Sequence, residues 1–187
     1  MEEAVNAKER KTLIHRGEYH LTEDQINTLI KLTEKLRDKV IIELLAFCGL
    51  RRFEVAKIKI EDINFTTNQI HIVGKGNIER TAIIFIDKLK EDLKLYITYV
   101  LNNKKHGYLF PAISSLNQED HIANERINSI VAKAGRLASI QNPTPNLKNV
   151  NPHILRHSCA RILKDKGLPL EIVQKVLGHT SFKITMD

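Results

Sequence analysis

After about 20 polar residues rich in Lys, Arg and Glu and without an apolar period, hydrophobic positions settle into regular spacings. Thr22 with Gln25 three residues on forms a capping-box pattern, and Leu21 with Ile26 sits at staple positions. A helix burying Ile26, Leu29 and Ile30 is expected to follow. From residue 40 to 48 the run Val-Ile-Ile-Glu-Leu-Leu-Ala-Phe-Cys is apolar nearly all round, as in a central helix, and Gly49 is its natural stop. A short helix is predicted over residues 52–58, after which the period falls to two. Gln69-Ile70-His71-Ile72-Val73 and Arg80-Thr81-Ala82-Ile83-Ile84-Phe85 read as paired strands across the turn Gly74-Lys75-Gly76-Asn77. Helical spacing returns with Leu89, Leu93, Tyr96, Ile97 and Val100, then with Ile127, Ile130, Val131 and Ala134. Tyr108-Leu109-Phe110-Pro111 and residues 141–152 read as loops. Leu155, Cys159, Ile162 and Leu163 define a helix ended by Gly167, and Ile172, Val173, Val176 and Leu177 one ended by Gly178. The expected fold class is mainly α with a small antiparallel β-sheet (α+β). Residues 21–187 form one domain, and residues 1–20 a linker or N-terminal arm.

Composition narrows the picture. A chain of 187 residues, 42% hydrophobic and 27% charged, suits one domain with a real core. No apolar run approaches the roughly 20 residues of a membrane span, and the N-terminus opens no signal peptide, so a cytoplasmic protein with no membrane partner is expected. Cys48 and Cys159 lack CxxC spacing and fall in apolar or helical stretches, which favours two buried, reduced thiols. The 29 Lys and Arg against 22 Asp and Glu leave a net charge of +7, which favours a polyanionic partner.

Four places hold a cation or proton carrier where local structure would fix it: Arg51 after the buried helix, Lys75 in the Gly-Lys-Gly turn, His153 with Arg156, and His179 after Gly178. Each alone has a plain structural explanation, as a solvated helix-end charge, a hairpin tip, a structural pair or a histidine at a helix terminus. The turn is no phosphate loop, because GxxxxGK[ST] is absent. His153 and His157 have the spacing of a metal-binding face, but Ile154 stands where a general-base Glu would be, and no third ligand is evident. His153 and Arg156, three apart on a helix, point to the same side and could meet one phosphate together.

Taken in order, Gly49-Leu50-Arg51-Arg52-Phe53-Glu54, Val73-Gly74-Lys75-Gly76-Asn77-Ile78-Glu79-Arg80, His153-Ile154-Leu155-Arg156-His157 and Leu177-Gly178-His179-Thr180 resemble the catalytic domain of the tyrosine recombinases, the phage integrase family. Glu61-Asp62-Ile63 and Tyr108-Leu109-Phe110-Pro111 are supporting landmarks. The resemblance implies that Arg51 and Arg156 clamp the non-bridging oxygens of one phosphodiester in double-stranded DNA. It implies that Lys75 protonates the leaving 5′ oxygen, and that His153 and His179 assist proton transfer and charge stabilisation. Glu54 resembles the family's acidic residue near the first arginine, with an orienting role. No metal, nucleotide or other cofactor is implied, since phosphoryl transfer is largely positioning and electrostatics.

The family's nucleophilic tyrosine would fall just past Asp187, and Tyr19, Tyr96, Tyr99 and Tyr108 all lie upstream. A chain cut just before its nucleophile is therefore expected, binding DNA without a covalent link. With the family's N-terminal clamp also missing, that binding should be weak and mostly non-specific. The intact protein is expected to work as a homotetramer on DNA and the isolated chain to be a monomer. The alternatives are a naturally tyrosine-less DNA-binding regulator of recombination and a related type IB-like topoisomerase.

Overall fold

A computed structural model of the chain describes residues 19–112 and 120–178. Helix α1 (Glu23–Leu32) begins at the capping box: Thr22 Oγ1 accepts from the Gln25 backbone, and Gln25 Oε1 accepts from the Thr22 N–H. Its apolar stripe of Ile26, Leu29 and Ile30 is buried. Helix α2 (Leu36–Phe47) starts four residues before the apolar run and is buried on nearly every side, packed against α1 and against the later helices Asp87–Leu95 and Pro152–Asp165. It stops where Gly49 turns left-handed, at φ +59°.

Helix α3 (Arg52–Lys57) leads into a three-stranded antiparallel sheet, β1 (Ile63–Asn64), β2 (Gln69–Val73) and β3 (Glu79–Ile83). The period-two reading found β2 and β3; β1 escaped it, because two residues are too few to show alternation. Pairing sets Ile70 opposite Ala82 and Ile72 opposite Arg80, so Ile70, Ile72, Arg80 and Ala82 share the inward face.

Helix α4 (Asp87–Leu95) is continued by a π-helical turn, Tyr96–Val100, closed by the Leu101 N–H donating to the Tyr96 carbonyl at 3.1 Å. The sequence spacing suggested one uninterrupted helix there. The β-branched and aromatic run Tyr96-Ile97-Thr98-Tyr99-Val100 supports an α-helix poorly, and the wider turn still seats Tyr96 in the core, stacked on Phe110 at 5.6 Å. Helices α5 (Asn124–Leu137), α6 (Pro152–Asp165) and α7 (Leu170–Leu177) complete the domain. Helix α6 is capped by Asn151, whose Oδ1 accepts from the Ile154 N–H, with Pro152 at the first helical position. Cys48 and Cys159 are buried and unbridged. None of the described helices is long and apolar enough to cross a membrane.

Candidate active site

Three elements distant in sequence meet at the C-terminal end of α2. Arg51 is the N-cap of α3, and its backbone N–H donates to Glu54 Oε2 at 2.7 Å while its Nη1 stands 3.3 Å from Glu54 Oε1. The Glu54 side chain is wholly buried. From β3, Arg80 lays a fork on the same carboxylate, Nη2 to Oε2 at 2.8 Å and Nε to Oε1 at 3.3 Å, and Nη1 donates to the Val176 carbonyl at 2.9 Å. From α6, Arg156 brings Nη1 to 4.0 Å from Glu54 Oε2 and donates to the carbonyls of Gly49 and Leu177.

The charges are unequal by design of the site's composition: three guanidiniums and one carboxylate leave two positive charges in surplus. Burial alone would raise the Glu54 pKa, but the hydrogen bonds and charge of Arg80, the Arg51 N–H and the charge of Arg156 outweigh it and hold the carboxyl below its ordinary value. Burial, reinforced by Arg51 and Arg80, lowers Arg156 to about 10 against the pull of Glu54, so it remains charged at neutral pH. Arg51 is the cation of the three that reaches solvent, its side chain 38% exposed against 11% for Arg80 and 9% for Arg156.

Two glycines make the convergence possible. A Cβ on Gly49 would stand 2.5 Å from Leu177 Cδ2, and one on Gly178 (φ +65°) would stand 2.3 Å from Arg80 Cδ. The turn between β2 and β3 closes with the Gly74 N–H donating to the Ile78 carbonyl at 2.8 Å, and Gly76 and Asn77 both take positive φ. A Cβ on Gly74 would lie 3.8 Å from Glu54 Oε1, so this hairpin tip stands beside the arginine cluster. The Lys75 backbone follows directly; its side chain, like all of His179, lies outside what the structure describes.

His153 is exposed in the first turn of α6, three residues before Arg156, and His157 is half-buried one turn on. Among the described residues no group of three or more His, Cys, Asp or Glu comes together as a metal site. Of the expected residues, the structure thus brings Arg51 and Arg156 together and sets the Lys75 backbone beside them. Arg80 was visible in the sequence only as part of a motif string. Its signal was a charged side chain at an inward strand position, on the face of Ala82, which demands a buried counter-charge.

The sequence profile of the Phage integrase family matches residues 19–187, and the chain belongs to this family. It is 33% identical over 167 residues to tyrosine recombinase XerA of Pyrococcus horikoshii, covering 88% of this chain and 54% of that protein. Against tyrosine recombinase XerC of Staphylococcus carnosus it is 31% identical over 170 residues, 87% of this chain and 54% of the relative. The chain therefore spans about half the length of the curated relatives it matches. The crystal structure of XerA recombinase superposes with a TM-score of 0.75 at 28% identity, covering 89% of this chain and 58% of that one. The fold is shared with XerH recombinase in its post-cleavage complex with palindromic difH substrate, at a TM-score of 0.73 and 22% identity over 89% of this chain and 48% of that one. The architecture is that of a tyrosine recombinase catalytic domain.

Proposed function

We propose that the chain is the DNA-cleaving domain of a site-specific recombinase, acting on double-stranded DNA in the cytoplasm. The observation that carries this reading is the convergence of Arg51, Arg80 and Arg156 on the single buried carboxylate of Glu54, with two positive charges left over beside the hairpin of Lys75. Two surplus cations match the charge that builds on a phosphodiester as a fifth oxygen approaches phosphorus. In this reading Arg51, open to solvent, binds a non-bridging oxygen directly, and Arg156 supplies fixed charge from behind it. A tyrosine oxygen forms the new bond to phosphorus as its phenolic proton passes to the histidine pair, the bond to the 5′ oxygen breaks, and the Lys75 ammonium gives that oxygen its proton. His153 and His179 share the proton traffic and the equatorial charge. The 3′-phosphotyrosine keeps the bond energy, so the 5′ hydroxyl of a partner strand reverses the step without ATP. Four copies acting on two duplexes complete an exchange.

Tyr96 is not the nucleophile: it is 1% exposed, and burial pushes its phenol up to about 12. Tyr108 packs edge-on against His121 at 5.3 Å. In this reading neither Tyr96 nor Tyr108 attacks phosphorus, and the 187-residue chain binds DNA without a covalent bond. The test is titration of a short mixed-sequence duplex at several salt concentrations. Arg51→Ala should weaken binding about tenfold and make the log-log salt slope shallower by about one charge. An unchanged slope would overturn the reading, whereas a covalent adduct on a denaturing gel would overturn only the expectation that this chain binds without a covalent bond.

A further inference from the structure

We propose that Arg80 is a positioning residue: by occupying the Glu54 carboxylate and tying it to the last turn of α7, it keeps Arg51 available to a DNA phosphate. This rests on the recombinase reading of the site. Among the described residues Glu54 is the acid that the three guanidiniums share, and its oxygens are shared unequally. Arg80 holds both, at 2.8 and 3.3 Å, whereas the Arg51 guanidinium touches one, at 3.3 Å, and Arg156 stands 4.0 Å away. A fork of this kind saturates a carboxylate. Without Arg80, the most favourable new partner for Glu54 is the Arg51 head, three residues away on the same helix. Arg51 would then turn inward, and the surplus of two positive charges would fall to one.

The same guanidinium has a second grip. Nη1 of Arg80 donates to the Val176 carbonyl, next to the Leu177 carbonyl taken by Arg156. The stem of Arg80 lies so close under Gly178 that no Cβ fits there. The backbone at Gly178 is therefore held in place by Arg80 and Arg156 together. A purely structural clasp would share this second grip, so the test has to read charge as well as stability.

The measurement is duplex binding by the 187-residue chain across a salt series, with thermal melting of each protein alongside. Arg80→Met is expected to bind about tenfold more weakly with a shallower salt slope, as Arg51→Ala does. Adding Glu54→Gln removes the acid that would capture Arg51, and the double variant should return to within about threefold of wild type. Arg80→Lys, which keeps the charge but leaves one Glu54 oxygen open to Arg51, should fall between Arg80→Met and wild type. If Arg80→Met does not fold, the double variant decides: binding within about threefold of wild type supports the proposal and a fall to the Arg51→Ala level overturns it. If neither Met variant folds, Arg80→Lys decides: weaker binding with a shallower salt slope at an unchanged melting temperature supports the proposal, and wild-type binding overturns it. Normal binding by a folded Arg80→Met alongside weakened Arg51→Ala overturns this inference but leaves the recombinase reading standing. No loss with Arg51→Ala defeats both.

Discussion

Arg156 in α6 donates to the main-chain carbonyl of Gly49, 107 residues earlier, at the negative end of the central helix. That carbonyl is presented because Gly49 adopts φ +59°, and the left-handed turn also redirects the chain so that Leu50 is buried and Arg51 starts α3. One backbone conformation thus aims two arginines.

Gly49→Ala adds the cost of a left-handed alanine to a contact of 2.5 Å with Leu177 Cδ2 and 3.2 Å with Cys159 Sγ. It should lower stability by about 1–3 kcal/mol and weaken duplex binding as well. Gly76→Ala is the control: its φ is also positive, +75°, but nothing lies within 4 Å of the added methyl. Denaturant titration should show the larger loss for Gly49→Ala. Equal losses would mean that the crowding around Gly49 carries no energy.

Much of this was legible beforehand because short-range chemistry fixed it. The capping box at Thr22 and Gln25 and the left-handed stops at Gly49, Gly167 and Gly178 are local signals, and each stands where expected. What stayed hidden was long-range. Nothing in the neighbourhood of Arg80 says that its partner is Glu54, 26 residues away, or that its remaining donor meets Val176, 96 residues on. Glu43 looked like a mere interruption of an apolar run, but it is buried beside Asp92, which a helical pattern on α2 alone could not disclose.

That buried pair predicts a pH dependence. Glu43 on α2 is 1% exposed, and burial first, then the charge and hydrogen bonding of Asp92, push its pKa up to about 8 against the opposing charges of Lys88 and Lys39. Between the ordinary value of 4.5 and about 8, the unfolded chain releases this proton while the folded chain keeps it. Stability from this group therefore falls as pH rises through that window, by at most about 5 kcal/mol. Glu43→Gln should raise the melting temperature clearly at pH 8 and little at pH 5. A gain independent of pH would show that Glu43 holds no extra proton in the folded state.

Ser158 bridges the start of the domain to α6. Its Oγ accepts from the buried Leu21 N–H at 2.8 Å and donates to the Ile154 carbonyl at 2.7 Å. Ser158→Ala leaves the Leu21 donor without that acceptor, so a loss of about 1–3 kcal/mol is expected by denaturant titration. Ser158→Thr, which keeps an acceptor, should lose less. A neutral Ser158→Ala would mean that water reaches Leu21.

The sharpest test of the cluster's electrostatics replaces Arg156 by lysine. Burial and the neighbouring charges of Arg51 and Arg80 lower Arg156 only to about 10, because a guanidinium starts so high. A lysine in the same place starts lower and meets the same burial and the same two cations, with Glu54 and, less strongly, Cys159 pulling the other way. Its pKa must therefore fall below that of the arginine it replaces. Nor can one ammonium reproduce the planar fork to the Gly49 and Leu177 carbonyls. Duplex binding by Arg156→Lys should consequently be closer to wild type at pH 6 than at pH 9, weakening as pH rises and the lysine gives up its charge. The wild-type curve, with Arg156 protonated throughout that range, should show no such loss from this group. Parallel curves for the two proteins would place the charge of residue 156 outside the phosphate site, and with it the argument that Arg51 and Arg156 act on one anion.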